Sequence, residues 1–189
     1  MNNGGKMGQF VIFCGPMFSS KTTRLLAAVD RYRWQKKKYI VFKPKIDDRY
    51  SIDKICSHSG GSIEAFCVNT GEELVDIVKE RGQPHIIAVD EAFMIKNIAY
   101  SLIYLYSEGH TILVSSLQLS SSGRIFSEIA MLLPFATDIH VCPAVCTLCG
   151  KDAHYTYRKI KDTKEIIVGG AEMYEPRCLE HYGQTLKYE

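Results

Sequence analysis

Residues 15–23 read GPMFSSKTT and sit at the end of the apolar run QFVIFCG, 9–15. The stretch has the form G-x-x-x-x-G-K-[ST] of a phosphate-binding loop, with Ser20 where the second glycine belongs. Such a loop needs a tight turn after a strand, backbone N–H groups aimed inward and a cation at the start of a helix. Gly15 supplies the turn, Lys21 can reach the β- and γ-phosphates, and Thr22 can coordinate Mg²⁺ through its hydroxyl. A helix opening near residue 21 adds the positive end of its dipole. Ser20 leaves two outcomes open. If φ is positive there, serine costs about 1–2 kcal/mol; if φ is negative, serine is a favourable N-cap. The competing reading of the whole stretch is a strand-to-helix turn with a surface lysine.

Working outward, short apolar runs alternate with segments of helical period. TTRLLAAVDRYRWQKKK (22–38) reads as a helix with a basic end, and YIVFKP (39–44) as a second strand closed by Pro44. EAFCV (64–68) reads as a third strand and TGEELVDIVKER (70–81) as the next helix, with Thr70 as N-cap and Glu73 three residues on. HIIAVDE (85–91) is a continuous apolar run that ends in two carboxylates. NIAYSLIYLYSEG (97–109) is helical, TILVSSL (111–117) a strand, FSEIAMLLPFA (126–136) a helix, and DIHVCPAV (138–145) closes the series. This alternation predicts an α/β fold: a mostly parallel sheet flanked by helices, of the phosphate-loop NTPase kind. Ligands of such sheets bind at the carboxyl ends of the strands.

The second landmark is VDE at 89–91. A buried strand ending in an acid is where such folds hold Mg²⁺, here Asp90. The neighbouring Glu91 could take the proton from an attacking hydroxyl. Two solvated charges capping a strand are the plainer alternative, which the co-occurrence with GPMFSSKT argues against.

After residue 145 the character changes. Cys146 and Cys149 form C-x-x-C, and Cys178 and His181 form C-x-x-H. Two close pairs of N/S ligands match a closed, structural Zn²⁺ site, which would staple a module too small for a core of its own. Packed thiols or a redox pair are the alternatives, and Cys142 is a competing ligand. Cys14, Cys56 and Cys67 read as core.

The bulk properties agree. The 189 residues are 46% hydrophobic and 23% charged, with a formal charge of +2 and seven cysteines. That is a globular composition with enough material for one domain and a small appendage. No apolar stretch approaches the ~20 residues that span a bilayer. MNNGGKMGQ carries no secretory or transit pattern, so residues 1–8 read as a disordered lead-in and the expected location is cytoplasmic. The resulting division is 1–8 lead-in, 9–145 ATP-binding domain and 146–189 zinc-binding module. RYRWQKKK (31–38) reads as a solvated helix end, and neither membrane nor nucleic acid is an expected partner.

GPMFSSKT, DDRYS (47–51), SHSG (57–60), VDE, CTLC, IIVGGAEMY (166–174) and CLEH occur in an order that resembles the type II thymidine kinases, from about Phe10 to His181. The resemblance implies ATP- and Mg²⁺-dependent phosphorylation of the 5′-hydroxyl of thymidine, or of deoxyuridine, in nucleotide salvage for DNA synthesis. It implies that Gly15, Pro16, Met17, Phe18, Ser19, Ser20, Lys21 and Thr22 hold the ATP phosphates, with Asp47 and Arg49 beside them. Lys21 and Arg49 would neutralise charge during transfer, Asp90 would serve Mg²⁺, and Glu91 would be the general base. A lasso loop between the zinc pairs would close over the nucleoside. Its backbone at Glu165, Ile166, Ile167, Val168 and Gly169 would bind the thymine edge, and Tyr174 would reach the sugar. Met17, Met94, Leu117, Phe126 and Thr156 match positions that line the base pocket, and Ser121 stands where the family carries an aromatic. Phe93 stands where it carries a polar residue. A homotetramer and feedback binding of thymidine triphosphate are further implications. Two other readings accompany this one: a silent paralogue acting in assembly, and a zinc-ribbon NTPase that binds nucleic acid.

Overall fold

The computed structural model describes residues 8–47, 53–56, 60–160 and 164–183. In chain order the strands and helices are β1 Phe10–Cys14, α1 Lys21–Trp34, β2 Tyr39–Pro44, β3 Lys54–Cys56, β4 Ser62–Glu64, β5 Phe66–Val68, α2 Gly71–Glu80, β6 Ile86–Val89, α3 Ile98–Ser107, β7 Thr111–Ser116, α4 Ser127–Leu132, β8 Asp138–Val141, β9 Ala144–Val145, β10 Asp152–Ala153, β11 Tyr155–Arg158, β12 Tyr174–Arg177 and α5 Leu179–Tyr182.

Six strands form one sheet in the order β5-β2-β6-β7-β1-β8. Every ladder in it is parallel. Parallel strands covered on both faces read as unbroken apolar runs. β1, β6 and β7 are accordingly buried along their whole length. Alternate side chains feed two cores. Phe10, Ile12, Phe42, Ile87 and Ile112 pack against α2, α3 and α4, whereas Val11, Phe13, Val41 and Leu113 pack against Leu25 and Val29 of α1. Helix α2 is fixed as its sequence predicts: the Thr70 hydroxyl accepts from Glu73 N at 3.3 Å, and Glu73 Oε2 accepts from Asn69 N at 2.8 Å. A Cβ at Gly71 would stand 2.3 Å from Ser101 Oγ, so glycine lets α2 and α3 approach.

Several boundaries differ from those read in the sequence. Helix α1 stops at Trp34 and the chain turns at Lys36, φ 56°, leaving the lysine run outside the helix. Residues 64–68 are two strands, because Ala65 N bonds Asp53 O: β4 pairs antiparallel with β3, and β5 joins β2. Helix α4 ends at Leu132 and passes into a 3-10 turn, Leu133–Phe135, around Pro134. β9 leaves the sheet series and pairs with β10. β11 and β12 form a third antiparallel pair, and Tyr155 stacks on Tyr182 with centroids 4.6 Å apart.

Candidate active site

The carboxyl ends of the parallel strands converge on a cleft of about 730 Å³ lined by Met17 to Thr23, Lys43, Asp47, Lys54, Asp90, Glu91 and Gly170, among others. The loop after β1 forms its floor. A Cβ on Gly15 would stand 2.2 Å from Cys142 O and 2.8 Å from Ser19 Oγ, so only glycine fits between β1 and β8. Ser19 Oγ donates to Pro16 O at 2.8 Å, and the buried Lys21 Nζ donates to the same carbonyl at 2.6 Å. Ser20 adopts φ 58°, the left-handed region, with no side-chain cap to the helix. The positive-φ outcome therefore holds, with its cost of about 1–2 kcal/mol, and the N-cap outcome does not. Phe18, at φ 65°, is also left-handed. Successive backbone reversals of this kind turn N–H groups inward and make an anion cradle.

Asp90 stands immediately beyond β6, locked to β2 by a bond from its N–H to Phe42 O at 2.9 Å. Thr22 Oγ1 donates to its carboxylate at 3.1 and 3.2 Å, and the Ser115 hydroxyl, at the end of β7, donates to Oδ1. Burial, and then the charge of Glu91, push Asp90 up to about 7 against the pull of Ser115, Thr22 and Lys21. A hydroxyl and a carboxylate converging beside this loop are hard oxygen donors of the kind Mg²⁺ takes. Glu91 is left-handed, φ 48°, and starts a 3-10 turn, Ala92–Met94. This reversal leaves the half-buried Glu91 lining two clefts at once.

The second cleft, about 420 Å³, is lined by Met17, Glu91, Phe93, Met94, Leu117, Ser120, Ser121, Phe126, Thr156, Arg158, Glu165 to Gly169 and Tyr174. All the residues that the sequence assigned to a base pocket and lasso thus face one space. Phe93 packs its ring on Phe126, centroids 4.5 Å apart, on the wall of a cleft where Ser121 offers no ring. The strap over this cleft is held by polar bonds. Arg158 donates to Lys164 O at 2.7 Å and Glu165 O at 2.8 Å, the Tyr174 hydroxyl donates to Ile167 O at 2.8 Å, and Ser122 Oγ donates to Glu165 Oε1 at 3.1 Å. The two clefts are tied together by Met17 N–H, which donates to Thr156 Oγ1 at 3.0 Å.

Of the residues that the sequence assigned to a nucleotide site, Met17 to Thr22, Asp47 and Asp90 line the first cleft, while Gly15 and Pro16 belong to the loop after β1. Arg49 lies outside the described residues. Gly170, inside the quoted segment IIVGGAEMY, was given no role in the first cleft; Lys43, Ser115, Ser120 and Arg158 were missed from sequence. A lysine inside the apolar run IVFKP was the one available signal; the others carry no pattern and come to the site through tertiary packing.

Ligand atoms of Cys146, Cys149, Cys178 and His181 all lie within 4.8 Å of one another. A tetrahedral Zn²⁺ with bonds of ~2.3 Å to sulfur and ~2.0 Å to nitrogen sets edges of about 3.8 and 3.5 Å. Cys149 and Cys178 sulfurs are 3.8 Å apart, and His181 Nδ1 is 3.6 Å from Cys146 and 3.3 Å from Cys178. The residues fit zinc. Burial pushes the Cys146 thiol up, but backbone amides of Cys178, Leu148 and Cys149 outweigh it and bring the thiol down to about 6, towards the thiolate a metal needs. Cys142 stands apart, its Sγ 3.4 Å from His140 O, and is no competing ligand. Cys56, expected in the core, is half-buried on the rim of the first cleft. Among the described residues no helix is long and apolar enough to cross a membrane.

The sequence profile described as thymidine kinase matches residues 8–182. A thymidine kinase of Pyrobaculum aerophilum is 36% identical over 180 residues, 91% of this chain and 97% of the relative. One of Thermococcus kodakarensis is 37% identical over 185 residues, 93% of this chain and 94% of the relative. One of Pseudothermotoga lettingae is 35% identical over 181 residues, 94% of this chain and 96% of the relative.

Proposed function

The chain belongs to the thymidine kinase family, and from that membership we propose that it transfers the γ-phosphoryl group of ATP to the 5′-hydroxyl of thymidine, with deoxyuridine as a second acceptor. The observation that carries this reading is the position of Glu91, a residue that lines both clefts.

The triphosphate occupies the cradle from Gly15 to Thr22, and the base lies between the Phe93–Phe126 wall and the strap 165–169. Backbone groups of the strap read the base edge. Glu91 accepts the proton of the 5′-hydroxyl as its oxygen bonds the γ-phosphorus, and the bond to the β–γ bridging oxygen breaks to release ADP. Lys21 leaves the Pro16 carbonyl for the phosphates and, with Arg49, balances the charge. Thr22 and Asp90 would hold Mg²⁺, which when bound neutralises the phosphate oxygens. The strap excludes water that would otherwise take the phosphoryl group. Residues 9–145 act as the nucleotide-binding part, and 146–189 as a zinc-tied anchor for the strap. Thymidine triphosphate, sharing both subsites, is a fitting feedback ligand, and a homotetramer in the cytoplasm is the corresponding assembly.

Purified protein incubated with labelled ATP, Mg²⁺ and a panel of nucleosides tests the reading. Thymidine and deoxyuridine are expected to become monophosphates while purine nucleosides do not. A panel in which nothing is labelled, or in which a purine nucleoside is preferred, overturns it.

A further inference from the structure

We infer that the side chain of Glu165 is a positioning group that latches the strap onto the α/β domain and so sets the affinity for the nucleoside; the inference rests on the kinase reading above. The strap runs between β11 and β12, so both its ends belong to the zinc-binding module. A link from its middle to the other side of the second cleft is what holds it closed, and Glu165 is placed to supply one. Arg158, the last residue of β11, donates to the Glu165 carbonyl at 2.8 Å. A backbone held in this way leaves less freedom to lose when the side chain is fixed. The carboxylate then crosses to the loop after β7: Ser122 Oγ donates to Oε1 at 3.1 Å, and Arg124 Nη1 stands 3.9 Å from Oε2.

The turn that receives the carboxylate is shaped for it. Leu119 and Ile125 form an antiparallel bridge, Ser120 N–H donates to Arg124 O at 2.9 Å, and Gly123 N–H donates to Ser120 O at 3.0 Å. Gly123 closes the turn at φ 81°, a region that glycine enters freely. Ser120 is its template: the residue is 3% exposed, and its Oγ accepts from the N–H groups of Ser122 at 3.3 Å and Arg124 at 3.2 Å. A serine has a single hydroxyl proton, and Ser122 spends its own on Glu165. In the 2.9 Å contact between the two hydroxyls Ser120 is therefore the donor. The O–H groups run from Ser120 through Ser122 to the carboxylate, each polarised by the charge at the end. Tyr182 of α5 donates to Ser121 O at 2.9 Å, which ties the turn to the zinc-binding module at a second point. The side chains of Arg124 and Glu165 are 81% and 40% exposed, so their ion pair is the weaker part of the latch and the charge-assisted hydrogen bond the stronger. Thymidine carries no charge. Its own contacts are insensitive to salt, whereas the Arg124–Glu165 pair is screened by it.

The test is calorimetric titration of the whole protein with thymidine and, separately, with Mg-ATP, beside a measurement of zinc content. Glu165→Ala is expected to weaken thymidine by about tenfold, as loss of one charge-assisted bond predicts. Glu165→Gln keeps an acceptor for Ser122 and should weaken it by about threefold. In both variants zinc content stays at the wild-type level and Mg-ATP affinity changes by less than about twofold. Wild-type affinity for thymidine should fall about threefold between about 0.05 and 1 M salt. That dependence is expected to vanish in Glu165→Gln and in Arg124→Ala, the second of which leaves the strap itself unaltered. Ser122→Ala should cost little more once Glu165 is alanine, because both changes remove the same bond. A role confined to folding the module would lower zinc content and both affinities together. That pattern, a thymidine affinity in Glu165→Ala within about twofold of wild type, or a salt dependence that survives in Glu165→Gln, overturns the latch and leaves the kinase reading standing. Wild-type protein that binds no thymidine overturns both.

Discussion

The two clefts that meet at Glu91 are built by opposite means. The first is made of strand ends, and its walls belong to a sheet buried on both faces. Its side chains are charged, its loop is strained at Phe18 and Ser20, and its geometry comes with the fold. The second is roofed by a strap at whose base the described residues form a small buried cluster, Ala144, Cys146, Ala153 and Cys178, two of them metal-ligand candidates. A module with so little apolar burial depends on its staple. The contrast teaches that nucleotide binding and nucleoside binding should fail separately, and that a change at the junction should spare both and stop the chemistry.

The sharpest break is therefore at the junction. Glu91→Gln keeps size and polarity but cannot accept a proton. Turnover is expected to fall on the order of 100-fold or more. Titrations should still show nucleotide and nucleoside binding close to wild type. Steady-state rates beside binding isotherms check this, and unchanged turnover would remove Glu91 as the base.

Next in size is the staple. Cys149 is the exposed member of the four, so Cys149→Ser disturbs the least packing. Zinc content is expected to drop, and thymidine affinity to fall roughly tenfold or more as the strap loses its anchor. Nucleotide affinity should fall by no more than about fivefold, the worth of a bond such as that from Met17 N–H to Thr156. Nucleotide binding that vanished together with thymidine binding would deny that the two clefts are separately supported.

How much of this was legible in the sequence differs between the clefts in the same way. Continuous apolar runs announce a parallel sheet because both faces are buried, so β1, β6 and β7 and the acid at the tip of β6 were read directly. The paired cysteines and His181 were legible because zinc ligands come in close pairs. The β3–β4 hairpin was not, being three residues to a strand and partly exposed. The ring of Phe93 at the cleft was noted only as a departure, since its direction depends on the left-handed turn at Glu91, and glutamate carries no signal for positive φ. The backbone at Ser20 was undecidable for the same reason: serine is compatible with both outcomes, and packing around the loop selects one.

A smaller effect separates the clefts by pH. The value of about 7 for Asp90 lies above its ordinary 3.8, so the folded protein retains a proton that the unfolded chain has already released between those values. The stability tied to that proton is full below pH 3.8 and is lost as pH rises through about 7. Without metal, the melting temperature of wild type should fall across this window relative to Asp90→Asn. Mg²⁺ should raise it again near neutral pH in wild type and not in Asp90→Asn. Parallel melting curves for the two proteins would mean that Asp90 ionises like a solvated acid.

The smallest effect lies in the loop where the two glycine positions of the motif have different reasons. Gly15 is required by space, since a Cβ would stand 2.2 Å from Cys142 O. Ser20 faces no such limit: its side chain is exposed, and what it bears is the left-handed backbone at φ 58°. Glycine adopts that conformation freely but loses more entropy on folding, so Ser20→Gly should stabilise by about 1 kcal/mol net. For a chain of this size that is roughly 2–4 °C in melting temperature. Nucleotide affinity should hold or improve slightly, because the N–H groups of the loop keep their direction. A lower melting temperature would show that the serine side chain supports the loop after all, and the strain argument for Phe18 and Glu91 would weaken with it.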